Sequence, residues 1–233
     1  MKWKYSVICI LLAATFISGC DPGDKEPVSD YDYFPLRLSR PLIYQLTETR
    51  YAVGSSEPTV SVWFEKDEAI RRTESPDGFP VFIFSRSRKD TPTGSWQKIK
   101  EYTITQYPDK YLMSIDNVTT VPVAFPIRST TNWNLNAYNT RLAEDTYYEY
   151  FNQPRTIGGL EFKNTVQATG RNNTEDTIVG YNLGYSQYAS GVGLIYEEQT
   201  DYEYCQENDS CFGKMQIASG MSTIRQLVEY GAL

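Results

Sequence analysis

Thr59-Val60-Ser61-Val62-Trp63-Phe64-Glu65-Lys66-Asp67-Glu68-Ala69-Ile70-Arg71 alternates apolar and polar positions and is dense in Val, Ile and aromatic side chains. Successive side chains of a strand point to opposite faces, so the run reads as a half-buried β-strand with Val60, Val62 and Phe64 turned to a core. Tyr44 and Leu46 repeat the pattern within 41–53. Working outward, comparable short runs occupy 79–86, 96–106, 111–115, 121–127, 147–151, 160–168, 177–181, 193–204, 215–219 and 224–230. Pro76-Asp77-Gly78 and Pro92-Thr93-Gly94 supply turns between them. The run 224–230 also fits a helix, since Ile224, Leu227 and Val228 match i, i+3, i+4 spacing; a strand is preferred because no other window carries a long 3.6 period. The expectation is an all-β fold, a single antiparallel domain whose twisted sheet closes into a barrel or half-barrel, with a β-sandwich as the alternative.

The chain has 233 residues, a net charge of −7, 19 tyrosines and no histidine. Without histidine, Ser-His-Asp and Cys-His catalysis, HExxH zinc sites and histidine pH switches are excluded. The acidic balance disfavours nucleic acid and an electrostatic hold on anionic lipid.

Lys2 and Lys4 precede an apolar stretch at 5–16, and Ile17-Ser18-Gly19-Cys20 closes it. The apolar run is shorter than the roughly 20 residues a membrane span needs. Ile17-Ser18-Gly19-Cys20 resembles the lipobox of bacterial lipoproteins. That resemblance implies a signal peptide at 1–19, diacylation (palmitate-type lipidation) of the Cys20 thiol and a lipid-anchored mature chain. An ordinary secretory signal that leaves Cys20 as a free thiol is the alternative. Two or three acyl chains hold a protein on a bilayer where one is marginal, each buried methylene contributing about 0.8 kcal/mol. Removing 1–19, with Lys2 and Lys4, leaves 214 residues and takes the charge from −7 to −9. Residues 20–30 form the lipidated cysteine and an acidic tether rich in Pro and Gly, and 31–233 form the β-domain. An aspartate directly after the cysteine resembles an inner-membrane retention signal, whereas an acidic stretch resembles surface-export tethers; the outer membrane is preferred, with its periplasmic or surface side left open.

Cys9 leaves with the signal, so Cys205 and Cys211 remain as a pair across a polar turn, and in an oxidising compartment they form a disulfide. Their spacing fits neither a CxxC redox motif nor a zinc site.

Catalytic motifs are weak. Gly184-Tyr185-Ser186-Gln187-Tyr188 lacks the last glycine of a nucleophile elbow. Ser95-Trp96-Gln97-Lys98 matches SxxK, but on a strand i and i+3 point to opposite faces. Clustered carboxylates, Glu65, Asp67 and Glu68 or Glu197 and Glu198, are the one catalytic route left open, that of a carboxylate-dependent glycoside hydrolase, if two of them share a cleft. Asn172-Asn173-Thr174-Glu175-Asp176 lacks EF-hand spacing and reads as a polar hairpin loop. No metal site and no cofactor is expected. Trp133, Tyr147, Tyr148 and Tyr150 are the candidate ligand-facing aromatics, flat rings suited to a glycan, peptide or lipid, with packing in the core as the plain alternative.

Tyr188-Ala189-Ser190-Gly191-Val192-Gly193-Leu194-Ile195-Tyr196, with Trp133-Asn134-Leu135-Asn136 and Tyr33-Phe34-Pro35, resembles uncharacterised β-rich Gram-negative envelope lipoproteins through short motifs. The resemblance implies fold and compartment, not an activity. The expected function is a lipid-anchored cell-envelope protein, a non-enzymatic binding or interaction module whose partner is an envelope protein, a glycan or a hydrophobic ligand. A glycoside hydrolase and a structural subunit of a surface assembly are the alternatives. Mass spectrometry of the mature amino terminus is expected to find an acylated Cys20, and an unmodified cysteine there refutes the anchor.

Overall fold

The computed structural model describes residues 29–55, 57–173 and 178–231. The signal stretch, Cys20 and the tether up to residue 28 lie outside the described residues, as do residues 174–177 of the loop that begins at Asn172.

Val, Ile, Thr and aromatic runs punctuated by Gly, Pro and Asn make strands joined by tight turns, and a chain of such hairpins forms a meander. Six strands follow one another in space as in sequence: β1 (Leu42–Tyr51), β2 (Thr59–Glu74), β3 (Pro80–Lys89), β4 (Gln97–Gln106), β5 (Lys110–Ile115) and β6 (Val118–Ala124). The second six do the same: β7 (Asn132–Asn134), β8 (Asp145–Ile157), β9 (Leu160–Asn173), β10 (Gly180–Ala189), β11 (Gly193–Tyr204) and β12 (Ile217–Tyr230). The sheet's one non-sequential pairing joins β1 to β12, Leu42 opposite Tyr230 through to Tyr51 opposite Gly220. All ladders are antiparallel and make one sheet of 12 strands, nearly closed into a barrel, with a 3-10 turn at Asp30–Tyr33 as the helical element among the described residues.

The edges that face each other are β6 and β7. Side chains, more than a ladder, span this seam. Tyr148 on β8 reaches across, its hydroxyl donating to the Ala124 carbonyl (2.9 Å) and accepting from the Ala124 N–H (3.1 Å). Trp133 Nε1 donates to the Val121 carbonyl at 2.8 Å, and the Val121 N–H donates to the Leu135 carbonyl at 2.9 Å. Pro122 lies within β6, and a residue without an N–H is at home on such an edge strand.

One end of the barrel is stoppered by the segment before β1. The Tyr31 hydroxyl donates to the Pro108 carbonyl (3.0 Å), the Asp30 carboxylate accepts from the Ile127 N–H (3.0 Å) and the Tyr33 hydroxyl donates to Asn152 Oδ1 (2.6 Å). The Gly191 N–H donates to the Asp32 carbonyl at 2.8 Å from the β10–β11 turn, where Gly191 adopts φ 77°, a conformation glycine takes without strain. Phe34 then packs between Tyr111 and Tyr188 and joins two of the three apolar clusters, one around Val123, Tyr148 and Val166 and one around Phe82, Ile104 and Tyr111. The third cluster gathers Leu46, Phe162, Ile195 and Leu227 under β1, β11 and β12.

Several expectations change. Tyr44 and Leu46 are buried as expected, but Val60 and Val62 are exposed at 58% and 47%, and the buried residues of β2 are Glu65, Asp67 and Ala69. The strand is therefore turned over relative to the apolar phase, because its inward face carries charges with partners inside the barrel. The runs 215–219 and 224–230 are one strand, β12, and β10 runs to Ala189 in place of an end at 181. Cys205 and Cys211 are disulfide-bonded in the β11–β12 loop, and Asp30, the last residue assigned to the tether, belongs to the stopper.

Tyr148→Phe removes both seam bonds to Ala124 and is expected to cost about 1–3 kcal/mol in denaturant unfolding, the usual range for stranding buried polar groups. Hydrogen exchange should show protection lost at the Ala124 amide; unchanged protection there would mean the seam holds without the tyrosine.

Candidate functional site

The charges on the inward face of β2 set the site. Directly opposite Asp67 on β3 is Arg86, which grips it with two hydrogen bonds, Nε to Oδ1 at 2.7 Å and Nη2 to Oδ2 at 2.8 Å. From β12, Arg225 reaches over β1 and donates from Nη2 to Asp67 Oδ2 at 2.5 Å. Glu65 Oε2 lies 3.5 Å from Arg86 and 3.8 Å from Arg225, and its Oε1 accepts from Trp63 Nε1 at 3.1 Å. Tyrosine rings line the arginines, Arg225 lying 4.0 Å from the centroid of Tyr44 and Arg86 5.2 Å from that of Tyr102. Burial pushes the Asp67 carboxyl up, but Arg225 and Arg86 outweigh it and hold the group at about 2, below its ordinary 3.8. Burial pushes the Tyr44 and Tyr102 hydroxyls up, so both stay protonated donors at neutral pH; that of Tyr44 donates to the Leu194 carbonyl at 3.0 Å.

This cluster forms part of the wall of an interior cavity of about 450 Å³. At the stoppered end its lining is Phe34, Pro35 and Leu42; along the walls it is Phe84, Ile104, Met113, Tyr188 and Leu194, with Ser186 and Glu197 between them. Toward the other end stand Arg141, Glu144, Arg171 and Gln199. Arg171 faces Glu144 at 3.6 Å and donates to Gln199 Oε1. These side chains lie flat across the bare backbones of Gly170 and Gly184, where a Cβ would come within 2.5 Å of Glu144 Oε1 and 2.8 Å of Gln199 Oε1. An open hollow under the β7–β8 loop shares Arg141, Glu144, Gly170 and Arg171 with the cavity, which marks this as the mouth. The volume lies within the roughly 300–1,000 Å³ of small-ligand sites.

The structure divides the clustered carboxylates between the two faces of the sheet. Glu65 and Asp67 share the inward face but both lie against arginines, and Asp67, held at about 2, has no proton to give at neutral pH. Glu197 lines the cavity, whereas Glu198 is on the outer face, accepting from the Tyr185 and Tyr196 hydroxyls at 2.9 Å each. Ser186 sits in the middle of β10 and not on a strand-to-helix elbow; Ser95 precedes β4, and Lys98 is paired with Glu101 at 2.5 Å. Among the described residues no group of three carboxylate or cysteine side chains is placed to hold a metal ion.

Of the four aromatics singled out in the sequence, Tyr148 and Trp133 pack on each other at 4.6 Å in the seam. Tyr147 is half-buried on the outer face, and Tyr150 is exposed with Arg155 against its ring at 5.5 Å. None of the four lines the cavity. Sequence reasoning passed over Arg86 and Arg225. The available signal was the placement of Arg225 between Ile224 and Leu227, a charge inside an apolar run, together with two acids on one phase of the strand that decides the fold.

No protein-family model matches the chain, and no curated protein matches it by sequence. Two solved structures share its outline at low similarity. One, described as an exported protein with a YmcC-like fold from Bacteroides fragilis, is 11% identical, with 85% of this chain and 98% of that chain covered and a TM-score of 0.44. The other, described as a lipoprotein from Parabacteroides distasonis, is 11% identical, with 89% and 100% covered and a TM-score of 0.43.

Asp67→Asn leaves two buried guanidinium groups short of a charge and is expected to destabilise by about 3–5 kcal/mol, the range for removing one partner of a buried pair. The native carboxyl titrates below its unfolded value, so its contribution is complete above pH about 4 and is lost as pH falls toward 2. Denaturant unfolding between pH 7 and pH 2.5 should show a steeper acid limb for the wild type than for the variant, and parallel limbs would remove Asp67 from that role.

Proposed function

We propose that this protein is a lipid-anchored binding module of the cell envelope, non-enzymatic, holding a small ligand inside its barrel. The observation that carries this reading is the cavity of about 450 Å³ with a polar mouth at Arg141, Glu144 and Arg171, walls of aromatic and aliphatic side chains and a floor made by Phe34 and Pro35. Such a mix of apolar area with a few fixed polar groups is the usual make-up of a small-molecule site. The neutralised Asp67 and Glu65, and the absence of histidine, support binding over hydrolysis.

Cys20 supplies the anchor in this reading, and the outer membrane is its proposed location. The chain enters the fold at the stoppered end, through Ser29 and Asp30. Nine residues, fully extended, reach at most roughly 30 Å. A tether from Cys20 in this reading joins the lipid to the stoppered end, opposite the mouth.

A protein partner is the second reading. Ile178, Val179, Phe212 and Met215 are each more than half exposed, and the Gln206 amide ties the first of them to the β11–β12 loop through the Ile178 carbonyl at 2.7 Å. They lie in the β9–β10 and β11–β12 loops, at the same end of the sheet as the β7–β8 loop, and exposed apolar side chains of this kind serve as contact points.

The test is native mass spectrometry of the protein extracted from its own membranes, alongside an Ala168→Phe variant that fills the cavity. A stoichiometric small molecule on the wild type and its loss from the folded variant is the expected result. A bound mass retained by the variant, or none on either protein, counts against an interior site.

A further inference from the structure

We infer that the cavity selects an organic cation, an amine or ammonium group paired with Glu197 and carried on an apolar body. The inference deepens the binding reading above and rests on it.

Glu197 on β11 stands directly opposite Ser186 on β10 and Arg225 on β12. Opposite charges at facing positions of an antiparallel pair normally meet, with Cβ atoms about 5 Å apart. Here the neighbour is turned away: Arg225 lies over the Tyr44 ring and spends its guanidinium on Asp67 and Glu65. Each of the other carboxylates on the barrel's inner wall has an arginine, Asp67 and Glu65 sharing Arg86 and Arg225, and Glu144 facing Arg171. Among the described residues Glu197 has neither an ion pair nor a side-chain hydrogen bond, and it lines the cavity half-buried. Half-buried in the cavity wall, this carboxylate keeps part of its hydration, and an incoming cation supplies the counter-charge it lacks in an enclosed space where the attraction is less screened than in open water.

The remaining walls narrow the choice. An anionic ligand meets no uncompensated cation in the depths of the cavity, because the charges of Arg86 and Arg225 are balanced by Asp67 and Glu65, although the buried Arg225 Nε is left without a hydrogen-bond partner; Arg141 is exposed at the mouth. Elsewhere the cavity wall includes Tyr188, Leu194 and Phe34, which suits an apolar body and offers ring faces to a cation. The acidic chain as a whole draws cations toward it.

Three probes with one body and different heads test this: phenethylamine, phenethyl alcohol and phenylacetate, titrated by calorimetry into the purified mature protein. The amine is expected to bind at least tenfold more tightly than the alcohol and phenylacetate most weakly. Glu197→Gln, which keeps the shape, should abolish the preference for the amine while leaving the affinity for the alcohol in place. Ser186→Phe, or Ala168→Phe if the first variant does not fold by circular dichroism, should abolish binding of all three. Equal binding of amine and alcohol, or a preference that survives in Glu197→Gln, overturns the cation assignment and leaves the cavity standing as a site. Failure of all three to bind, or binding that the filled cavity leaves unchanged, overturns the interior site and the cation assignment with it.

Discussion

Asp67 sits at the junction on which the barrel depends. It takes two hydrogen bonds from Arg86 on the neighbouring strand β3 and one from Arg225, 158 residues away on β12. Between them lies β1, whose Tyr44 ring carries the Arg225 guanidinium on its face. The cluster thus clips the last strand to the second across the first, at the pairing that turns an open meander into a near-barrel. A buried pair of this kind is not in itself a large source of stability, since desolvation takes back much of the Coulomb gain. Its value lies in specificity: the register that places Leu46 opposite Arg225 is the one in which Arg225 reaches Asp67.

That specificity shapes the interior. A near-barrel of 12 strands is wider than the roughly eight whose side chains can fill the interior, so some space is left within it. Charges on one wall and the aromatic stopper at the end cannot interdigitate, and the cavity lies where they meet. The same choice explains Glu197. Because Arg225 is committed to Asp67, the charge opposite it on β11 is left to the cavity.

The sequence made the fold class legible and the interior illegible, for one physical reason. Period-two alternation identifies strands whatever their orientation, so 59–71 reads as a strand, as do the runs that became β1, β4, β5 and β11. Which face turns inward is decided by partners, and those lie far away in the chain. Val60 and Val62 look like core residues until Arg86 and Arg225 are known to stand inside waiting for Asp67. The aromatic run at 147–151 shows the same limit: Tyr148 faces inward and Tyr150 is exposed, yet only the position of the β6 edge makes Tyr148 a seam residue. The Cys205–Cys211 pair was legible because its partners are local. Glu197 and Glu198 were visible as a pair, but neighbours on a strand diverge, and their separate settings become evident only with Tyr185, Tyr196 and the cavity in place.

The two ends of the fold are bound to each other. Arg40 donates to the Gly191 carbonyl at 2.6 Å and the Gly231 carbonyl at 3.1 Å, and the Gly231 N–H returns a bond to the Pro41 carbonyl at 2.9 Å. A chain is made from its amino end, so the stopper and β1 exist long before the residues that receive them. Until β12 emerges, Asp67 lacks its second arginine and β1 is a bare edge, and closing so long a loop is entropically slow. Hairpins can form as they appear, but the β1–β12 pairing waits for the final fourteen-residue strand, and until then β1 is an edge open to other chains.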